Sequence, residues 1–106
     1  MDSATPPTTV TQHIIETRHI RVTGVVQGVG FRYATLRHAQ LLEVCGWVRN
    51  CANGSVEALI QGSPQELNLM QRWMRQGPRA AHVQGLAAVT IETTQIFTRF
   101  EQHADA

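Results

Sequence analysis

The chain has 106 residues, of which 42% are apolar and 16% charged, and its formal net charge at pH 7 is +1. This length suits a single domain with one packed core, and the near-neutral charge argues against a surface for nucleic acid or an anionic membrane. All nine basic residues are arginine, which excludes lysine Schiff-base chemistry and the lysine of a Walker-type loop. No apolar run reaches the roughly 18 residues of a membrane span. Residues 1–17 lack a cationic cluster followed by an apolar core, so we do not expect them to be a secretory signal. We expect a small cytoplasmic protein, with the monomer as the default state.

Both ends of the chain are predicted to lie outside the folded domain. Residues 1–17 are polar, rich in threonine and proline, and without a sustained period, which is typical of a flexible tail. The domain is expected to span residues 18–102 and to leave a short C-terminal tail at residues 103–106.

The first half of the domain predicts a strand, a turn and a helix. Residues 19–25 alternate between polar and apolar side chains, as a half-buried strand does. A glycine-rich turn follows at residues 27–30, and residues 31–42 have the spacing of an amphipathic helix. The face that this helix is expected to bury consists of Phe31, Thr35, Leu36, Ala39 and Leu42.

A hairpin comes next. Residues 45–51 and 55–61 predict two strands, and Asn53-Gly54 between them is a strong signal for a hairpin turn. Cys45 and Cys51 would lie roughly 20 Å apart on one strand, too far for a disulfide, which needs Cα atoms within about 7 Å. Two small apolar side chains are the simplest interpretation, and neither a disulfide nor a metal site is expected.

The second helix has clear signals at both ends. Ser63 is expected to cap it, because Pro64 suits the first helical position and Glu66 completes a capping box. Gly77-Pro78 ends it. The stripe that this helix is expected to bury consists of Leu67, Met70 and Met74.

Two further strands complete the predicted fold, one within residues 82–92 and a short one near residues 96–100. The order of elements is therefore β-α-β-β-α-β with a terminal strand. This order predicts an α+β ferredoxin-like sandwich, in which two helices cover one face of an antiparallel sheet of four to five strands.

The segment from Gly24 to Arg32, Gly-Val-Val-Gln-Gly-Val-Gly-Phe-Arg, is the first candidate site. It lies where a strand meets a helix, and successive N–H groups in such a turn form a nest for anions, reinforced by the helix N-terminus. Arg32 stands in the first helical turn, where the helix dipole disfavours a cation unless an anion lies between them. The alternative is an ordinary glycine-rich turn beside a solvent-exposed arginine.

Asn50, at the end of Gly-Trp-Val-Arg-Asn, is the second candidate. Its carboxamide both donates and accepts hydrogen bonds, so it can orient a water molecule if its strand ends beside the glycine-rich turn. The alternative is an asparagine that only prepares the hairpin turn.

Together these two segments resemble the acylphosphatase family. The family pattern Gly-x-Val-Gln-Gly-Val-x-Phe-Arg is met by residues 24–32, and its later pattern Gly-Trp-Val-x-Asn…Gly-x-Val is met by residues 46–56. Gln61-Gly62 and Gly77-Pro78 also match family positions. The resemblance covers about residues 18–101, and its two motifs are long and specific.

The resemblance implies both a fold and an activity. Members of the family adopt the ferredoxin-like fold and hydrolyse acyl phosphates to a carboxylate and inorganic phosphate. It further implies that Asn50 positions the attacking water and that neither a metal nor a cofactor takes part. The residues that it assigns to phosphate binding are Gln27, Gly28, Val29, Gly30, Phe31 and Arg32, and of these Arg32 is also catalytic.

One position departs from the family pattern. A glycine usually ends the first helix, three residues before Gly46, and here that residue is Glu43. In the left-handed conformation typical of such a position, a glutamate costs about 1 kcal/mol or more. We therefore expect a local stability penalty or a different loop path, with the chemistry retained.

Three other functions compete with hydrolysis. A non-catalytic anion-binding module would bind phosphate without turnover and would be favoured if Arg32 or Asn50 were absent. An RNA-binding domain shares the topology but needs stacked aromatics and a basic face, whereas the first strand offers His19, Arg21 and Thr23 there. A carbamoyl-phosphate-handling domain of a larger maturation factor would carry zinc-binding cysteines downstream, and we expect a free-standing domain instead.

Overall fold

The computed structural model describes residues 14–106 as five strands and two helices in the predicted order. These are β1 (Glu16–Val25), α1 (Phe31–Leu42), β2 (Cys45–Asn50), β3 (Val56–Gly62), α2 (Pro64–Met74), β4 (His82–Ile91) and β5 (Phe100–Gln102). The order across the sheet is β4-β1-β3-β2-β5. The first four strands pair antiparallel, and β5 joins the edge of β2 in parallel. The predicted α+β ferredoxin-like sandwich is confirmed, and its fifth strand makes the sheet mixed.

The first strand begins earlier than predicted. β1 starts at Glu16 rather than near Arg18, because Thr17 is buried and accepts a hydrogen bond of 3.0 Å from Gln61 Nε2 on β3. Residues 1–13 of the predicted tail lie outside the described residues.

The last strand lies later than predicted. It forms at Phe100–Gln102 rather than over residues 96–100, and the side chain of its first residue reaches the core. The preceding stretch is held outside the ladder by Gln61, whose Oε1 accepts a hydrogen bond of 2.8 Å from the backbone N–H of Phe97. Residues 103–106, predicted as a tail, continue beside β2 through backbone hydrogen bonds.

Both helices bury the faces that their sequences predict. Phe31, Thr35 and Ala39 of α1 are buried, whereas Leu36 and Leu42 are half-buried against the core. The α2 stripe is fully buried. Each large apolar side chain buried in this way contributes roughly 1.5–3 kcal/mol. The core between the helices and the sheet consists of Ile20, Val22, Val26, Phe31, Ala39, Val44, Val48, Val56, Ala58, Ile60, Leu67, Met70, Met74 and Phe100.

The opposite face of the sheet carries an ion-pair network centred on Glu57. Its carboxylate meets His19 at 2.5 Å, Arg49 at 2.8 Å and Arg21 at 3.6 Å. Burial alone would raise the pKa of Glu57, but hydrogen bonds from His19 and Arg49 outweigh it and lower the pKa to about 2. The Trp47 ring on this face lies 4.9 Å from the Arg49 guanidinium carbon. These side chains are engaged with one another, which disfavours RNA-base stacking here.

Glu43 ends α1 in the left-handed conformation, with φ 59° and ψ 40°. Between positions 14 and 106 it is the one residue other than glycine with positive φ. The chain therefore keeps the sharp helix ending that a glycine normally supplies, and the expected alternative of a different loop path does not occur.

Candidate active site

The ends of β1 and β2 place the two candidate segments side by side. Both strands pair antiparallel with β3, which lies between them, so they run in the same direction and end at the same edge of the sheet. The glycine-rich turn follows β1, and Asn50 is the last residue of β2. The topology thus meets the condition under which Asn50 can act at the turn.

A small cavity lies between the turn and Asn50. Its volume is about 120 Å³, and its lining consists of Val26, Gly28, Gly30, Phe31, Arg32, Tyr33, Asn50 and Gln102. One water occupies about 30 Å³ in the liquid, so the cavity suits a group of a few heavy atoms, such as a phosphoryl group. Two larger depressions, of about 720 and 730 Å³, lie at the opposite end of β1. Glu43 and Glu66 line the first of these, and their charges would repel an anion.

The turn leaves the start of α1 without a cap. Gly28 and Gly30 have φ of 76° and 80°, and a Cβ at either position would meet nothing within 4 Å, so the backbone conformation is what requires glycine here. The first bond of the helix runs from Ala34 N–H to the Gly30 carbonyl at 3.0 Å. In the part of the chain that the structure describes, the N–H groups of residues 28–33 have no protein acceptor. They form a ready anion site at the positive end of the helix dipole.

The second helix shows the contrast. The Ser63 hydroxyl accepts a hydrogen bond of 3.3 Å from Glu66 N–H, and the Glu66 carboxylate lies in the first turn of α2. The first turn of α1 contains neither a capping side chain nor an acidic residue. An anion from solution would therefore supply at the N-terminus of α1 the hydrogen-bond acceptor and the negative charge that Ser63 and Glu66 supply at α2.

Arg32 brings a cation to the same cavity. It lies in the first turn of α1, and its side chain is 31% exposed. Its Nη1 donates a hydrogen bond of 3.2 Å to Asp105 Oδ1. Because the guanidinium has five N–H donors in a planar fork, donors remain that can bind two oxygens of one phosphoryl group.

Asn50 contributes a buried polar group with no partner. The residue is 8% exposed, and its Oδ1 has no hydrogen-bond partner among the described residues. A buried acceptor left unpaired costs about 1–3 kcal/mol, and native structures contain few of them. Since this oxygen belongs to a residue that lines the cavity, it can accept a hydrogen bond from a bound water.

The side chains of the turn stabilise the fold, whereas its backbone N–H groups are available to bind an anion. The Gln27 carboxamide donates to the carbonyls of Cys51 and Ser55, both at 2.8 Å, and so ties the turn to the β2–β3 hairpin. Phe31 is buried in the core, and Val29 packs against it. What these three residues can offer an anion is therefore their backbone N–H.

Three residues at the site carried no functional signal in the sequence. Tyr33 and Gln102 line the cavity, and the Tyr33 hydroxyl accepts a hydrogen bond of 3.2 Å from Arg37. Asp105 pairs with Arg32. No partner of Tyr33 could be identified from the sequence, and Gln102 and Asp105 reach the site only because the C-terminal residues pair with β2.

Other chemistry finds little support in the described residues. Between residues 14 and 106, no group of three or more His, Cys, Asp or Glu side chains is arranged to hold a metal ion. No helix in that range is long and apolar enough to cross a membrane. Cys45 and Cys51 are free thiols, and burial raises the pKa of Cys45.

Known proteins share both the sequence pattern and this fold. The family model described as acylphosphatase matches residues 18–102. The chain belongs to the acylphosphatase family. It is 52% identical over 89 residues to an acylphosphatase of Burkholderia mallei, covering 84% of this chain and 91% of that one. The resemblance predicted from the two motifs is thus confirmed.

Solved acylphosphatase structures superpose on the chain. One from Bacillus subtilis has a TM-score of 0.81 at 29% identity and covers 85% of this chain and 99% of that one. Another, from Coxiella burnetii, has a TM-score of 0.80 at 29% identity and covers 84% of this chain and 93% of that one. The ferredoxin-like sandwich derived from the sequence is therefore the fold of solved members of the family.

Proposed function

We propose that this acylphosphatase-family protein hydrolyses acyl phosphates, breaking the bond between phosphorus and the bridging oxygen to give a carboxylate and inorganic phosphate. One observation carries the proposal. An uncapped helix N-terminus, Arg32 and Asn50, whose side-chain oxygen is unpaired, line one cavity of phosphoryl size. Each of these groups suits a different part of the same reaction.

Phosphate binding falls to the turn and Arg32. The backbone N–H groups from Gln27 to Arg32 and the positive end of the α1 dipole favour an anion, and Arg32 can grip two of its oxygens. These donors are fixed by the fold before the substrate arrives, so they stabilise the charge on the phosphoryl oxygens without reorganising. The same anion also resolves the unfavourable position of Arg32 at the helix start.

Water activation falls to Asn50. Its Oδ1 accepts a hydrogen bond from a water and directs that water's oxygen at phosphorus, in line with the departing carboxylate. As the new P–O bond forms, the bond to the bridging oxygen breaks and the carboxylate leaves with its electron pair. A carboxylate is a good leaving group, so positioning and charge stabilisation supply most of what this loose transition state requires.

The proton of the attacking water passes to an oxygen of the substrate's own phosphoryl group. The lining of the cavity contains no His, Asp or Glu among the described residues, which supports an acceptor on the substrate. Rates for a series of acyl phosphates should then depend on the pKa of the leaving carboxylic acid. A rate insensitive to the leaving group would contradict this loose mechanism.

Two substitutions separate the two roles. Arg32→Ala should abolish both turnover and the binding of inorganic phosphate, whereas Asn50→Ala should abolish turnover and leave phosphate binding intact. Asn68→Ala, which removes a remote asparagine on α2, is the matched control and should match the wild type. Isothermal titration with phosphate and steady-state kinetics measure both effects. Equal loss of phosphate affinity in the first two variants would contradict this division of roles.

We also propose that the enzyme acts as a cytoplasmic monomer on a small-molecule substrate, without a metal, a cofactor, nucleic acid or a membrane. The chain buries its hydrophobic core by itself, as a stable monomer requires, and two free thiols suit a reducing compartment. Light scattering and turnover in EDTA test the oligomeric state and the metal requirement. A dimer in solution would contradict the proposed monomer, and activity lost in EDTA and restored by a metal would contradict a metal-free reaction.

A further inference from the structure

We propose that Asp105 is a further residue of the active site, an internal anion that competes with the phosphoryl group for Arg32. The inference rests on the proposed function of Arg32 in phosphate binding. Asp105 Oδ1 lies 3.2 Å from Arg32 Nη1, and within the described residues this is the one side-chain hydrogen bond that Arg32 makes. The carboxylate thus uses a donor that a phosphoryl oxygen would use.

Backbone hydrogen bonds hold Asp105 at this place. In the C-terminal segment of residues 103–106, His103 N–H donates to the Val48 carbonyl at 2.8 Å, and Ala106 N–H donates to the Asn50 carbonyl at 2.9 Å. Asp105 lies between these two anchors. The segment therefore runs along the end of β2 and brings a carboxylate to the rim of the cavity that Asn50 lines.

The carboxylate of Asp105 changes the net charge that a bound phosphoryl group meets at the cavity. Arg32 is the one charged side chain that lines the cavity among the described residues, and Asp105 is its ion-pair partner. With the pair formed, the two charges cancel. The phosphoryl group of an acyl phosphate is an anion, so it must displace the carboxylate from Arg32 or share the guanidinium with it.

The exposure of the pair sets the size of the effect. Asp105 is 67% exposed and Arg32 31% exposed, and exposed ion pairs are weak because water and salt screen them. A phosphoryl group bound by both arms of the guanidinium and by the helix N-terminus holds Arg32 more strongly. The carboxylate is therefore displaceable, and it should weaken phosphate binding by about two- to fivefold, as a weak exposed pair allows, rather than block it.

If Asp105 instead held Arg32 in place, its removal would have the opposite effect on phosphate affinity. If the carboxylate held Arg32 in the geometry that phosphate needs, removing it would weaken phosphate binding. The contact is a single hydrogen bond to Nη1 rather than a two-armed one, so it restrains the guanidinium little. Competition is therefore the effect that we expect to dominate.

The test compares three variants of the full chain. Asp105→Asn removes the charge at nearly constant shape, and Asp105→Glu keeps it. Glu101→Gln removes a carboxylate from the same end of the chain, one that pairs with Arg99 and His103 instead of Arg32. The measurements are the Kd of inorganic phosphate by isothermal titration and the KM for benzoyl phosphate.

The expected result is a Kd for phosphate about two- to fivefold lower in Asp105→Asn, with a lower KM for benzoyl phosphate. Asp105→Glu and Glu101→Gln should match the wild type. An unchanged or higher Kd in Asp105→Asn, or an equal fall in Glu101→Gln, would overturn the inference. If the wild type binds phosphate but shows no turnover, the proposed function fails while the Kd comparison still decides the role of Asp105.

Discussion

Replacing Glu43 by glycine is expected to stabilise the fold by about 1 kcal/mol. The left-handed conformation at φ 59° and ψ 40° costs an L-residue roughly 1–2 kcal/mol, and glycine does not incur this cost. Glycine in turn loses more backbone entropy on folding, which costs roughly 0.5–1 kcal/mol. Removing a carboxylate from the negative end of the α1 dipole returns a further 0.3–1 kcal/mol or so.

Glu43→Ala separates the backbone effect from the charge effect. Alanine removes the carboxylate but stays strained at positive φ, so it should gain only the dipole contribution of a few tenths of a kcal/mol. The difference between the glycine and alanine variants then measures the cost of the left-handed conformation less the backbone entropy that glycine loses on folding. Neither change should alter turnover, because Glu43 lines the depression at the opposite end of β1 from Asn50.

Urea unfolding and calorimetry measure the effect. The urea midpoint should rise in Glu43→Gly without a change in slope, and Tm should rise by about 4–8 °C for each kcal/mol gained in a domain of this size. An alanine variant as stable as the glycine variant would refute the backbone argument and leave the charge as the cause. No gain in either variant would refute both contributions.

Two further substitutions test the Glu57 ion-pair network, on the sheet face opposite the helices, and the hydrogen bonds by which Gln27 ties the turn to the β2–β3 hairpin. Glu57→Gln should destabilise the fold by about 2 kcal/mol near neutral pH, because His19 and Arg49 lose their buried anion. Since the pKa of Glu57 is lowered from 4.5 to about 2, this stabilisation is present above pH 4.5 and is lost as the pH falls towards 2. The difference from wild type in urea unfolding should therefore shrink over that window, and a difference independent of pH would contradict the assignment. Gln27→Ala should lower kcat more than it raises KM in steady-state kinetics, because the turn loses its hydrogen bonds to the hairpin that follows Asn50 while the backbone N–H groups of the turn remain; a change in KM alone would count against this.

The elements with strong local signals were predictable from the sequence. α2 begins after Ser63 and buries the predicted stripe, since its cap and its apolar period both lie within the helix itself. β5 was misplaced because its position depends on the Gln61 side chain, which binds the backbone of Gln95 and Phe97 across more than thirty residues of chain. Such a contact leaves no pattern near the strand that it displaces.

The residues of the candidate site likewise fall into those that the sequence could indicate and those that depend on tertiary contacts. The sequence marked Arg32 and Asn50 as unusual residue types at a strand–helix junction and a strand end. Whether they meet depends on β1 and β2 running in the same direction on either side of β3, which the fold class supplies and no single segment does. The target of the Gln27 side chain and the arrival of Asp105 are tertiary pairings, so periodicity and motif spacing could not predict them.

Hydrolysis of benzoyl phosphate in the presence of EDTA, by the wild type and by Asn50→Ala, tests the central claim most directly. The account predicts rapid turnover by the wild type and a loss of at least about a hundredfold in kcat in the variant, as when a preorganised polar group is removed from an active site. The variant should still bind inorganic phosphate. Wild-type turnover that Asn50→Ala retains, or no turnover by the folded wild type, would contradict a metal-free hydrolase that uses Asn50 to position water.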